Sequence, residues 1–338
     1  MSWRRETHRL QQQAGYLSRR KQMMKIDNPY HEGELRVQAR VGVLDEGAMN
    51  SRVIQDSIIK GAMRFINQLP MAVFGSLDQE GNVWASIFIG TPGFMHAEND
   101  RTVTIDLRRL ERNPDDPFWT NIDGNPQVGM LAIELASRRR LRMNGTITHV
   151  ADTALQLHVK ESYPNCPKYI QRRLLAPPLQ RADQTPRIAV QGIILGERQR
   201  AMITKADTFF VASVHPDRGV DASHRGGRPG FVTILEDRTL RIPDYVGNSM
   251  FNTLGNFTAN PRAGLVFFDF ESGQTLQVIG RPEILYDMED LSDVTGGTKR
   301  YWLLHIDRCL ETAHMPQSNW EFLDASPYNP SINTNTDH

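Results

Sequence analysis

Two stretches of this 338-residue chain are copies of each other, which restricts it to folds in which one unit is used twice. Residues 85–105 (ASIFIGTPGFMHAENDRTVTI) align without a gap on residues 222–242 (ASHRGGRPGFVTILEDRTLRI), and ten of the twenty-one positions are identical. Residues 125–145 (NPQVGMLAIELASRRRLRMNG) then align on residues 260–280 (NPRAGLVFFDFESGQTLQVIG), sharing Asn-Pro, the next Gly, a Ser, a Leu and the final Gly. Two ordered matches at nearly the same offset are the mark of an internal duplication, each copy being one structural unit.

Each unit reads as mainly β with flanking helices. Short apolar runs at 71–77 and 209–214 end in polar turns. Residues 231–235 and 239–242 flank Glu-Asp-Arg, and residues 264–270 and 275–279 flank Glu-Ser-Gly-Gln, two hairpin patterns. Between them, Met250, Leu254 and Phe257 fall at helical spacing and predict a short helix over 249–258. Many short strands with one or two helices point to a small barrel. In chain order the sequence divides into an N-terminal arm and first strand (1–45), a first repeat (46–150) and a connecting helix with a Pro-rich linker (151–187). A second repeat (188–315) and a flexible tail (316–338) follow. Within this scheme 30–43 opens the first unit, 51–68 is an amphipathic helix, 188–203 supplies a helix-like lead into the second unit, and 300–311 is a last long strand.

Charge is balanced, with 39 Lys and Arg against 39 Asp and Glu, which argues against nucleic acid or an anionic membrane as partner. No apolar run has the roughly 18 residues of a membrane helix, and the basic start lacks the apolar stretch of a secretory signal. Two cysteines, Cys166 and Cys309, make no disulfide framework, so a reducing cytoplasm is the expected compartment. The ten histidines show no paired metal-ligand spacing, and no metal is expected.

The copies differ where chemistry would sit. After Ala-Ser the first copy continues Ile87-Phe88-Ile89-Gly90, a core strand, whereas the second has His224-Arg225-Gly226-Gly227. Further on the second copy carries Asn248, Ser249, Asn252 and Asn256, while the first carries the net acidic Glu111-Arg112-Asn113-Pro114-Asp115-Asp116. Amide and hydroxyl side chains with backbone donors at a helix start suit an anion such as phosphate. A single anion site per chain, in the second copy, is therefore expected; the plainer alternative is a polar loop. Cys309 reads as an inert core thiol. Cys166, between Asn and Pro, is reactive only if a helix start lowers its pKa.

The run DASHRGGRPGFV, the segment LRIPDYVGNSMFNTLGNFTANPRAGLVFFDF and the strand TLQVIG resemble the pyridoxamine 5′-phosphate oxidase-related, FMN-binding split-barrel family. NCPKYIQRR and YHEGELRVQARVGV are similar to its tandem flavin-nucleotide-binding branch. The resemblance implies two tandem split β-barrels, FMN as cofactor and an oxidoreductase acting on a small molecule. The implied flavin contacts are Ser223, His224, Arg225 and Gly226, with Ile242 and Pro243 along the ring. In the family an Arg-Lys pair grips the phosphate where this chain has the uncharged Asn248-Ser249, so Arg225 or Lys168 would have to supply the charge. The residues that bind pyridoxal phosphate in the oxidase have no evident match. Family members hold flavin between two barrels, so either a homodimer or an internal pseudo-dimer is expected. Rival readings are a non-catalytic flavin or anion binder, and a split barrel that uses haem or a deazaflavin.

Overall fold

A computed structural model describes residues 28–330 apart from 177–188, 237, 291 and 313–318. The predicted N-terminal arm, most of the Pro-rich linker and the last residues of the tail lie outside the described residues.

The first unit contains β1 (Met71–Leu77), β2 (Val83–Ile89), β3 (Met95–Asn99), β4 (Thr102–Asp106), β5 (Gln127–Glu134), β6 (Arg139–Ala151) and β7 (Ala154–Pro164). They form one sheet in the order β2-β1-β5-β6-β7-β4-β3. A short β8 (Arg172–Leu175) follows. The second unit contains β9 (Ala189–Gly192), β10 (Thr208–His215), β11 (Gly219–Gly226), β12 (Thr233–Leu235), β13 (Thr239–Pro243), β14 (Ala263–Phe268), β15 (Thr275–Leu285) and β16 (Tyr301–Thr312). Its order is β11-β10-β14-β15-β16-β13-β12, with β9 added on β16. Adding nine to each strand number turns the first order into the second, so the duplication seen in sequence is a duplication of topology. The helices are α1 (Glu32–Val41), α2 (Leu44–Asn50), α3 (Lys60–Asn67), α4 (Phe118–Gly124), α5 (Glu197–Lys205) and α6 (Asn252–Ala259).

The central strands are buried on both faces, which is why they read as unbroken apolar runs rather than alternating ones. Along β1, Ala72 and Phe74 enter the core of the first barrel while Met71 and Val73 face the other unit. Along β10, Phe209 and Val211 enter the second barrel and Phe210, Ala212 and Val214 face the first. The shared layer also holds Ile87, Leu131, Val266 and Phe268. Each such side chain is worth about 1.5–3 kcal/mol when fully buried, so exposing the layer would exceed the roughly 5–15 kcal/mol of a typical fold.

Close approach at this layer explains the glycine retained in both copies. A Cβ on Gly129 of β5 would lie 2.5 Å from Asp221 Cα on β11; one on Gly264 of β14 would lie 2.3 Å from Val83 O on β2. The retained Asn residues of α4 and α6 have matching roles, Asn121 donating to Ser76 Oγ and Asn256 to Ser213 Oγ, both at 2.9 Å.

Several sequence expectations are corrected. Residues 30–43 hold no strand: α1 forms there, and it docks on α6 of the second unit rather than opening the first. The alternation of Leu35, Val37 and Val41 imitates a strand, but His31 caps Gly33 N–H and Glu34 caps His31 N–H, which starts a helix. The helix expected over 51–68 is confined to α3 after a single 3₁₀ turn at Ser51–Val53. The lead into the second unit is β9 followed by α5. Among the described residues of 151–187 no connecting helix forms. Instead β6 and β7 turn about 151–154 and extend the first sheet to Pro164. In the tail, β17 (Trp320–Asp324) pairs with β8. Asp324 bridges Arg138 and Arg172, so this part of the tail is fastened to the barrel.

Candidate ligand-binding cleft

The end of β11 and the loop 243–248 form one wall of a cleft, and β6 with residues 165–169 of the first unit forms the other. It adjoins a depression that runs to the start of α6. Arg142 and Arg225 line both parts. Arg140, Cys166 and Lys168 line only the cleft; Phe251, Thr253 and Leu254 line only the depression.

Because side chains alternate along a strand, Arg140 and Arg142 of β6 point to the same face. Arg142 is buried, donates to Asp221 Oδ2 at 2.8 Å and Ser223 Oγ at 2.6 Å, and also meets Tyr163. Burial opposes its charge, but Asp221 and Tyr163 more than offset that and hold it above the ordinary range. Arg140 donates to Cys166 O at 2.9 Å and faces His224 Nδ1 at 3.3 Å. Arg225 donates to Ser223 Oγ at 3.3 Å. Neither Arg140 nor Arg225 has a described carboxylate within ion-pair distance, and Asp244 is taken by Arg300 at 2.8 Å. Both lie deep among protein atoms while keeping part of their surface on the cleft. Burial brings Arg140 down to about 10, and it lowers Arg225 as well. His224 is pushed well below its ordinary value, first by burial and then by Arg140, Arg225 and Arg173, so the ring is neutral. With Nδ1 facing the Arg140 donor, its Nε2 carries the proton and has no partner among the described residues.

The depression ends at a helix start without a side-chain cap. Phe251 holds the N-cap position of α6 with φ +61°, and the buried Thr253 Oγ1 has no hydrogen-bond partner. The first copy treats the matching place differently. There Asp116 caps Phe118 N–H of α4 at 2.9 Å and accepts from Ser86 Oγ at 2.5 Å and Gln277 Nε2 at 3.3 Å. Burial raises that carboxyl to about 6. Ser86 corresponds to Ser223, Gln277 to Arg142 and Asp116 to Phe251. Phe88, which corresponds to Arg225, stacks on Trp119 at 5.2 Å and meets Phe118 at 4.8 Å. The first copy thus fills with a carboxylate and three rings what the second leaves open and positively charged.

The cleft gathers His224, Arg225, Gly226, Pro243, Asn248 and Lys168, and the depression adds Ser249 and Asn252. Ser223 lies beneath them as the acceptor for Arg142 and Arg225. Gly226 is required by the opposite wall, since a Cβ would lie 2.0 Å from Tyr169 O. Ile242 is a correction: strand alternation turns it into the barrel core beside Trp302 and Leu240, away from the cleft. The Asn248 amide is turned back onto Met250, and the Asn252 amide onto Glu34 of α1. The Lys168 ammonium lies 5.6 Å from the Tyr328 ring. Cys309 is buried in the second core, as its apolar setting implies.

Sequence reasoning missed Arg140, Arg142, Tyr169 and Tyr245. The signal was present in the first copy, where Arg140 and Arg142 stand opposite Thr275 and Gln277 of the second. The polar residues of one copy needed to be read together with the facing strand of the other.

No curated protein matches the chain. A proposed pyridoxamine 5′-phosphate oxidase from Lactobacillus delbrueckii is 19% identical, covering 35% of this chain and 94% of its own, with a TM-score of 0.28. HupZ of Group A Streptococcus is 14% identical over 39% and 98%, at 0.28. An FAD-binding protein of Mesorhizobium loti is 14% identical over 38% and 99%, at 0.27. The family profile described as pyridoxamine 5′-phosphate oxidase matches twice, over residues 59–176 and 195–318, once per barrel and across most of the chain. The chain belongs to the pyridoxamine 5′-phosphate oxidase family.

Proposed function

We propose that this protein is an FMN-binding oxidoreductase acting on a small molecule, with the cofactor in the cleft between its two barrels. One observation carries the reading: the second copy leaves an uncapped helix start and the Arg225 guanidinium, with no described carboxylate within ion-pair distance, where the first copy inserts Asp116. Uncompensated buried charge is costly, so the site suits an anion. A helix N-terminus with Arg forks is the arrangement that recognises phosphate.

The donors fit a flavin phosphate as follows. Arg142, Arg225, Thr253 Oγ1 and the first N–H groups of α6 would hold the phosphate, and Gly226, Pro243 and Tyr245 would bound the ring. When bound, the flavin supplies the electron-transfer chemistry. This chain's residues bind, orient and exclude water. His224 offers a neutral Nε2–H donor. The Tyr169 phenol, raised by burial to about 12, donates to Val246 O at 2.9 Å, so it closes the cleft mouth and keeps its proton at neutral pH. Both walls come from one chain, which supports the internal pseudo-dimer as the binding unit. Among the described residues no helix is long and apolar enough to cross a membrane, and both cysteines are free, in keeping with work in the cytoplasm.

The uncharged turn at Asn248-Ser249 favours one second reading, a flavin store or sensor without turnover. Multiple turnovers from NAD(P)H-reduced flavin to an acceptor separate an enzyme from a store. The binding claim is tested by fluorescence titration of FMN and riboflavin. Replacing Arg225 with Ala should weaken FMN about 10- to 100-fold, the worth of a charge-assisted hydrogen bond, and leave riboflavin within threefold. Equal weakening of both flavins would remove Arg225 from the phosphate.

A further inference from the structure

Arg140 is not accounted for by a phosphate seated at α6. The phosphate seat is built from Arg142, Arg225 and the helix start in the depression, and Arg140 does not line that part. It lines the part of the cleft outside the depression, with Lys168 and Phe231, while Tyr245 borders both parts. Its Nε is fixed by Cys166 O and its Nη1 by His224 Nδ1, while Nη2 meets only the Cys166 sulfur at 3.9 Å. The guanidinium is therefore held in one orientation, with hydrogen-bonding capacity left over and no described carboxylate within ion-pair distance. Its charged neighbours, Arg142 and Arg225, are of the same sign.

We infer that the end of the cleft at Arg140 is a second anion subsite, and that the substrate of the proposed flavoenzyme is a small organic carboxylate with an apolar body. This rests on the reading of the cleft as a flavin site. The carboxylate would meet the planar Arg140 fork, which matches its two oxygens, with Lys168 adding charge at the mouth. The apolar body would lie against Phe231 and Tyr245. Two separate anions, one at each end, answer the excess positive charge that a single phosphate leaves.

Benzoate and its neutral isostere benzamide are suitable probes, measured by calorimetric titration of the full-length protein both as purified and after loading with FMN. Benzoate should bind at least tenfold more tightly than benzamide in both forms. Arg140→Gln, which keeps a donor for Cys166 O, should erase that preference while FMN affinity stays within threefold. Arg140→Lys, which keeps the charge and loses the fork, should retain part of it. Arg225→Gln should weaken FMN and leave the benzoate preference in place. The subsite is refuted if benzoate and benzamide bind alike. It is refuted equally if Arg140→Gln weakens FMN as much as Arg225→Gln does, because Arg140 then belongs to the phosphate. If FMN does not bind at all, the flavin reading fails, and the benzoate titration of the protein as purified still decides the subsite.

Discussion

Arg142 belongs to the first barrel by sequence and to the second by its partners, Asp221 and Ser223. That buried pair is asymmetric in its consequences. Removing Arg142 leaves a carboxylate among Tyr163, Asn144 and apolar side chains, while removing both charges leaves little strain. Arg142→Met should therefore cost about 3–5 kcal/mol in urea denaturation, and adding Asp221→Asn should recover more than half of the loss. Additive losses in the double-mutant cycle would show that the two side chains act independently. At this scale the sequence exposed the polar pair His224-Arg225, because the other copy has Ile-Phe there. It did not expose Arg140 or Arg142, whose importance depends on which strand faces which.

At the scale of elements, α1 is the clearest example of a segment whose structure comes from its neighbour. Gly33 packs on Gly255 so closely that a Cβ on Gly33 would lie 2.2 Å from Gly255 O. That contact seals Glu34 beneath α6, where burial raises its carboxyl from 4.5 to about 8. The folded protein thus keeps a proton that the unfolded chain loses. Stability from this group is full below about pH 4.5, falls as pH rises to about 8 and is level beyond. His31 acts in the opposite window: burial lowers it from 6.5 to about 4, so its contribution is lost as pH falls through that range. Between pH 6.5 and 8.5 the Glu34 effect stands apart from that of His31. Thermal or urea unfolding there should show a decline of a few kcal/mol in the native protein that Glu34→Gln reduces. An unchanged slope in the variant would place the Glu34 proton elsewhere. The tail shows the same dependence. Gln171, fully buried, accepts from Ser326 N and donates to Tyr169 O and Gly227 O, joining the tail to the cleft wall. A polar sequence rich in Asn and Pro carries no sign of such a partner.

Across the whole molecule, the duplication creates two pseudo-equivalent places between the barrels, and only one is open. Trp119, Phe88 and Asp116 occupy the first, whereas Arg142, Arg225 and the bare start of α6 border the second. A titration of apoprotein with FMN should accordingly end at one equivalent per chain. A stoichiometry of two would mean that the aromatic plug is displaced on binding and that the asymmetry has no bearing on the ligand.

By itself the sequence determined the repeated unit, the β-rich barrel and the copy that carries polar groups. Those features follow from local patterns: apolar runs, turn residues and a register preserved between the copies. Three things were decided only by tertiary structure. It paired the two barrels within the chain, placing Gly129 and Gly264 where backbones meet. It folded 32–41 as a helix, because α6 offered an apolar seat and a glycine to pack on. It also carried Arg140 and Arg142 across the interface into the cleft of the other copy. The reason is common to all three: the energy lies in contacts between residues distant in the sequence, such as Arg142 with Asp221 and Gly33 with Gly255, which no local pattern records.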